Sequence, residues 1–338
     1  MRPGATPWLR YGLVANLAVM AALALAVLSQ AFPSTEAVRL RNALLIERGT
    51  AADFDWTPDR TPATFMAERR APTPEFAAAA RAAGSDSTNS DWQKALALAG
   101  LLSRNAQDKG PIQSDLASTY RAIVEQGRGY CADFIYAYLG LAHAAGLTAR
   151  EWAFSFDGFG GHGHAFVEVF DRQRNKWLFL DVYNNVHAVD AGGEPMSALE
   201  FRESVLGRRP AGVIRANAPG RPGFAIEAKL LDYYRRGAAE WYLWWGNSVF
   251  TYDAHPAVRA GESVSLALGQ LVAIAIGVHP RIKVLASADN APQFERMARL
   301  RWALCAASVV MAGQLMVLAA QVILMIRRDA RQTANHHA

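Results

Sequence analysis

The sequence predicts an α+β fold, a helix packed on an antiparallel sheet, flanked by N-terminal and C-terminal transmembrane helices. Three observations predict it. Uncharged apolar runs of membrane-spanning length lie near both ends, at 11–28 and 302–326. The run CADFIYAYLGLAHAAG, from Cys131, reads as a helix closed by Gly146 in the usual C-terminal glycine position. Three strand-like segments follow it: Thr148 to Phe156, His164 to Phe170 and Trp177 to Tyr183. A glycine-rich loop (DGFGGHG) and a polar turn (DRQRNK) separate them. One helix followed by hairpin-linked strands is an α+β arrangement.

Composition supports a bilayer component. Of 338 residues, 51% are hydrophobic and only 19% charged, which suits a chain partly immersed in lipid. The net charge of +5 is concentrated in arginines beside apolar segments, so it is read as membrane topology. No Lys/Arg-rich run with interleaved aromatics points to nucleic acid. There are two cysteines, and Cys305 sits in the second apolar run. Cys131 is therefore the single cysteine of the soluble part, which excludes a disulfide framework and a zinc site built from cysteine pairs.

The first element, YGLVANLAVMAALALAVL, follows Arg2 and Arg10 and is about the length that crosses a hydrocarbon core at ~1.5 Å per residue. A cleaved signal peptide with Ser29-Gln30-Ala31 as a weak site is the alternative. The long apolar stretch and Pro33 favour an uncleaved anchor over 11–31. The second span, 302–326, precedes Arg327, Arg328 and Arg331. Both arginine groups favour cytoplasmic termini, with Arg296, Arg299 and Arg301 opposing from the other flank. The expectation is an inner or plasma membrane protein whose soluble part faces the periplasm or cell exterior. Its partners would be membrane lipid, through two helices, and no nucleic acid.

Between the spans, residues 32–105 read as a helical juxtamembrane and linker region. A helix is expected over 35–49, and Pro58, Pro62, Pro72 and Pro74 mark loop or linker. An Ala-rich helix end follows at 77–83, then a polar break at 84–90, then a helix over Asp91 to Ser103 with Ser90 or Asp91 as N-cap. A second amphipathic helix, Gln113 to Glu125, leads into a core over 106–190. Residues 191–300 extend that soluble domain. There the aromatic run WYLWW (241–245) is expected in the core, and Val264 to Val278, too short for a span, as a buried helix.

The chemistry centres on three residues. Cys131, after the loop GRGY, would start its helix, where unpaired N–H groups and the helix dipole stabilise a thiolate. The same N–H groups suit an oxyanion. His164, Phe166, Glu168 and Phe170 share one strand face, as do Trp177, Phe179, Asp181 and Tyr183. A four-residue loop at 171–174 would pair Phe170 with Asn175 and set His164 directly opposite Asp181. A two-residue slip would make them diagonal neighbours on the same face; an odd loop would separate them. A thiol needs a base, and the base needs a group that orients it. His162 could line the substrate cleft, and the H-x-H pair with Asp181 is a metal alternative that the glycines around His162 disfavour.

The phrases Gly129–Cys131, Gly146–Arg150, His164–Val169 and Trp177–Asp181 resemble the core of the transglutaminase-like superfamily, which has a papain-like Cys-His-Asp core. The resemblance covers roughly 110–185. Phe166 stands where the family often has Trp, and Val182 where it often has Pro. The resemblance implies Cys131 as nucleophile, His164 as base and Asp181 as orienter, with no cofactor. The second oxyanion donor has no motif; Gln126 and Tyr130 are candidates. The resemblance implies a thiol enzyme working through a thioester, a peptidase or amidase; the apolar segments make it membrane-anchored, and location alone points to protein or peptide of the cell envelope as substrate. Glutamine acyl transfer and a non-enzymatic binding or assembly module on the same fold stand as the alternatives.

Overall fold

The computed structural model describes residues 7–29, 34–86, 88, 90–107, 110–217, 223–224, 226–336, and these fall into two compact units. The first comprises the described residues of 1–44 and 294–338, and the second residues of 45–293.

In the first unit, α1 (Pro7–Ser29) carries the N-terminal apolar run and α2 (Ser34–Leu45) follows. The helix expected over 35–49 stops at Leu45. Its last four residues are instead a strand, β1 (Ile46–Gly49), which opens the second unit. A sheet neighbour can satisfy the Ile46–Gly49 backbone as well as a helix turn can, and here tertiary pairing decides.

The second unit continues with α3 (Ala51–Phe54), α4 (Pro74–Ala82) and α5 (Asp91–Ser103). Thr73 caps α4 by accepting from Phe76 N–H, with Pro74 at the first helical position; Ser90 caps α5 by accepting from Gln93 N–H. The proline-rich stretch before α4 is irregular, yet it is no loose linker. Phe54, Trp56 and Phe65 are buried in the main aromatic core.

Next come α6 (Leu116–Gln126) and α7 (Cys131–Ala144). Asp115 caps α6 and accepts from Ser118 N–H at 2.9 Å, so the helix begins three residues after the expected Gln113. Strands β2 (Ala149–Ser155), β3 (Gly163–Asp171) and β4 (Lys176–Leu180) follow, then β5 (Val186–Val189). The chain completes the unit with α8 (Ala198–Val205), β6 (Val213–Ala216), α9 (Glu227–Gly237), β7 (Glu240–Trp244), α10 (Val249–Asp253), α11 (Pro256–Glu262), α12 (Leu266–Ala275) and β8 (Ile282–Leu285).

The main sheet has the order β1-β8-β7-β2-β3-β4, antiparallel except for β1 beside β8; β5 and β6 pair separately. Helix α7 lies against β2 and β3. An aromatic cluster that includes Trp152, Phe154, Phe166, Phe179, Phe201, Tyr234 and Trp241 joins the sheet to α8 and α9. Glu240 to Trp244, within the WYLWW run and its preceding residue, is a wholly buried strand. Within this core Arg150 and Glu168 are cross-strand partners and form an ion pair at 2.7 Å, each 1% exposed. Trp152 Nε1 and Ala198 N–H also donate to Glu168, and the Arg150 guanidinium stacks 4.0 Å above the Trp177 ring. Both oxygens of that carboxylate thereby accept hydrogen bonds, as burial of a charge demands.

Helix α12 differs from expectation. It is a helix, but Val264, Leu268, Leu271 and Ile276 are exposed rather than buried. The last element, α13 (Ala291–His336), starts eleven residues before the expected span at 302 and contains it whole. Helices α1 and α13 are both long and apolar enough to cross a membrane. Within the first unit, buried Asn16 donates to the Gln314 carbonyl at 3.0 Å and to Gln321 Oε1 at 3.4 Å.

Candidate active site

The connection GRGY turns the chain from α6 into α7 within four residues, and both glycines are required. Gly127 terminates α6 at φ +65°, and a Cβ there would meet the Asn105 carbonyl oxygen at 2.1 Å. Gly129 has φ +122°, and a Cβ would press on Phe134, Asp133 and Ile112 at 3.2–3.3 Å. The turn is then pinned by Asp133. Its carboxylate accepts from Tyr130 N–H at 2.8 Å and from Ile112 N–H at 3.2 Å. An acid in the first turn also suits the positive end of the helix. Cys131 results as the first residue of α7, half-buried, its own N–H being a first-turn amide without an acceptor inside the helix.

Phe154 of β2 is the register partner of His164 on β3, and the two rings lie 5.9 Å apart. The β3–β4 hairpin has an even, four-residue loop, but it runs from Arg172 to Asn175. Phe170 therefore faces Trp177, two residues beyond the expected partner. Asp171, 1% exposed, extends the strand by accepting from Arg174 N–H across the turn, with Asn175 at φ +51°. His164 and Asp181 consequently are diagonal rather than direct neighbours. Strand β4 also ends at Leu180, short of the expected Tyr183. Asp181 leaves it for a tight turn, exchanging backbone hydrogen bonds with Val186 at 2.9 and 3.0 Å.

The three residues nonetheless converge. His164 Nε2 lies 2.8 Å from Asp181 Oδ2, with both side chains buried, and Cys131 is near enough to the same imidazole to raise its pKa. With Nε2 taken by the carboxylate, Nδ1 is the nitrogen left for the thiol. Burial is the largest effect on His164 and favours its neutral form. The Asp181 carboxylate, by charge and hydrogen bond, and then Cys131 outweigh it, and the imidazolium is held up to about 10. For Asp181, burial acts upward, but His164, the Asn184 N–H and Tyr234 outweigh it and hold the carboxyl below its ordinary range.

Three further residues complete the site, and the sequence carried no signal for them. Tyr234 donates to Asp181 Oδ2 at 2.6 Å. Asn184 donates its side-chain N–H to that oxygen at 2.6 Å and its backbone N–H to Oδ1 at 2.9 Å. The Asn184 amide is itself oriented by Phe224 N–H, which donates to its Oδ1 at 2.8 Å. Gly223 makes that approach feasible, since a Cβ there would collide with Asn184 Oδ1. Tyr233 donates to the Gly163 carbonyl at 2.6 Å and sets its ring edge-on to His164, 5.8 Å away. Burial raises the Tyr233 hydroxyl, and Cys131 and Asp181 raise it further, so Tyr233 stays neutral beside the thiol.

The remaining candidates lie differently. The Tyr130 N–H is engaged by Asp133, and the Tyr130 side chain is exposed. Gln126 is exposed at the end of α6 and lines a shallow surface cavity with Arg104, Asn105 and Gln107. His162 is exposed in the glycine loop, its ring stacked on Phe156 at 6.1 Å and its N–H bound to Asp157. Among the described residues no three His, Cys, Asp or Glu side chains gather as a metal-ligand group.

A helix that opens on cysteine, a following strand that carries histidine and a further strand that leads into aspartate occur here in that chain order. Over the same stretch, residues 75–182 match the family model described as the transglutaminase-like superfamily. Residues 75–182 form a transglutaminase-like domain. The match begins in α4, upstream of the stretch at 110–185 that carried the resemblance. No curated protein and no solved structure matches the chain. The transglutaminase-like superfamily consists in general of cysteine-nucleophile enzymes. In the transglutaminase-like domain the Arg150 and Glu168 of two motif phrases are the buried cross-strand pair, which accounts for them structurally without a chemical role.

Proposed function

We propose that this chain is a membrane-anchored thiol enzyme that opens an amide or related acyl bond through a thioester on Cys131. The reading is carried by one observation, the buried His164–Asp181 pair at 2.8 Å, which Cys131 at the start of α7 adjoins closely enough to raise the imidazole pKa. In the proposed reaction the Cys131 sulfur attacks the carbonyl carbon, and the first-turn amide of α7 faces the developing oxyanion. His164 passes its proton to the leaving amine as the carbon–nitrogen bond breaks. An imidazolium held up to about 10 is charged for this step at neutral pH. Water then attacks the thioester and gives a proton to His164, and the acid departs as the thiol regains its hydrogen. Asp181 orients the ring throughout.

We further propose a peptidase or amidase role in the cell envelope, with the soluble unit on the periplasmic or exterior side. The support is the arginine pattern around two helices of membrane-crossing length. Incubation with a glutamine-containing peptide and a primary amine, followed by mass analysis, tests the reaction. Conversion of the glutamine to a glutamate residue with release of ammonia, or cleavage of the peptide chain, is expected; an amine adduct would make the enzyme an acyltransferase. A thiol-reactive acyl probe should label wild type and not Cys131→Ala. Labelling unchanged in that variant would sink the enzyme reading and favour a binding module. A compartment-sensitive reporter fused after residue 100 tests the side, and a cytoplasmic signal would reverse it.

A further inference from the structure

Strands β7 and β8 are antiparallel neighbours, and Trp245 N–H donates to the Arg281 carbonyl at 2.7 Å to close their junction. Between those two residues the chain makes one helical excursion, α10 to α12. Its last helix is inside-out for a water-soluble element. The residues packed inward are the small ones, Gly269 and Ala273, one helical turn apart. The large apolar residues point the other way: Val264 is 75% exposed, Leu268 39%, Leu271 51% and Ile276 44%. At 3.6 residues per turn, Leu268, Leu271 and Ala275 fall on one stripe of α12, opposite Gly269 and Ala273, with Val264 and Ile276 flanking the helix at its two ends. From Val264 to Val278 there is no charged residue.

The packing of α11 on α12 follows the same logic. A Cβ at Gly261 would lie 2.9 Å from Gly269 Cα, so the two backbones touch through a pair of glycines. Small residues four apart at a helix–helix seam, with large apolar residues turned outward, are the arrangement of helices in lipid. A contiguous exposed apolar stripe on a soluble unit marks an interaction site. An apolar helix of this length is too short to span, and an interfacial element is one of its ordinary roles.

The chain itself indicates the occupant. Ile282, where the excursion re-enters the sheet, is the register partner of Ile46. Ile46 is the residue by which the chain arrives from α1 and α2, the first of which is long and apolar enough to cross a membrane. We propose that α12 is a membrane-docking helix, which lays Leu268 and Leu271, with Val264 and Ile276 at its two ends, into the apolar boundary of the bilayer. The proposal rests on the anchor reading above and adds a third lipid contact, made by the soluble unit.

The test is photocrosslinking in the full chain, reconstituted in phosphatidylcholine–phosphatidylglycerol vesicles. A benzophenone amino acid replaces Leu271, or Val317 in α13, or Gln173 in the exposed β3–β4 turn. Lipid adducts at 271 and 317 but not at 173 are expected, and Leu271→Asp in a chain probed at Leu268 should reduce its lipid adducts at least tenfold. Adducts at 317 without adducts at 271 would overturn the docking helix and leave the anchor standing. Absence of lipid adducts at both would overturn the anchor as well. Adducts between two copies of the chain at 271 would show a protein interface there and overturn the proposal.

Discussion

Tyr234 donates its hydroxyl to Asp181 Oδ2 at 2.6 Å, the same oxygen that faces His164 Nε2 at 2.8 Å. With Asn184 as a third donor to that atom, the carboxylate is held by residues from two separate parts of the chain. Tyr234 is thus a positioning residue, acting on the imidazole through the aspartate. Tyr234→Phe keeps the ring packing against Phe166 and Phe201 and removes one hydrogen bond to a buried charge. The expected loss is about 1.5–3 kcal/mol of unfolding free energy, read by urea titration of tryptophan fluorescence. The Asp181 carboxyl should titrate higher in the same variant, because it loses a hydrogen bond that lowers it, which a purely packing role for Tyr234 would not produce.

His164 supplies a pH dependence of known sign. Its folded pKa is raised from 6.5 to about 10, so the folded state binds this proton more tightly than the unfolded chain does. Its stabilising contribution is fully present below about pH 6.5 and declines until the pH has passed about 10. Asp181, held low, contributes above the ordinary carboxylate range and loses that contribution as the solution is acidified. Melting temperature should therefore fall between pH 7 and 10 in wild type. The fall should flatten in His164→Gln, and an unchanged slope in that variant would contradict the assignment.

Gly129→Ala tests the turn that presents the thiol. The substitution forces an L-residue to φ +122° and presses its methyl on Phe134, Asp133 and Ile112. A loss of about 1–3 kcal/mol is expected, with slower acyl-probe labelling of Cys131. Gly110→Ala is the comparison, since Gly110 also has positive φ (+89°) but open space around its Cβ. It should destabilise less and leave the labelling rate unchanged. Equal effects on labelling would mean that the turn does not set the position of Cys131.

Local signals in the sequence carried the helix at Cys131, the order of β2, β3 and β4, and the convergence of Cys131, His164 and Asp181. An even hairpin loop sufficed for the common face, whatever the register. The register itself was hidden, because it depends on Asp171 being buried and bonded across its own turn. Tyr234 and Asn184 were hidden for another reason. Nothing local marks a tyrosine that meets an aspartate 53 positions away. Residues 46–49 carry a pattern that continues a helix, and only the partner strand β8 decides otherwise. Helix α12 was legible as a helix, while its exposure depends on which small residues α11 meets.

The Arg150–Glu168 pair has a bearing on the fidelity of folding. Between β2 and β3 both residues point into the aromatic core, and each is the other's register partner. If β3 slid by one residue, Glu168 would change face and leave the guanidinium among Trp56, Trp152 and Trp177 with no counter-charge. An uncompensated buried charge costs several kcal/mol, a large part of the stability of a domain. The pair, four residues from His164 on the same face of β3, thus acts as a proofreading mark. A misaligned strand that would carry the histidine away from Cys131 is also one that cannot bury its own glutamate.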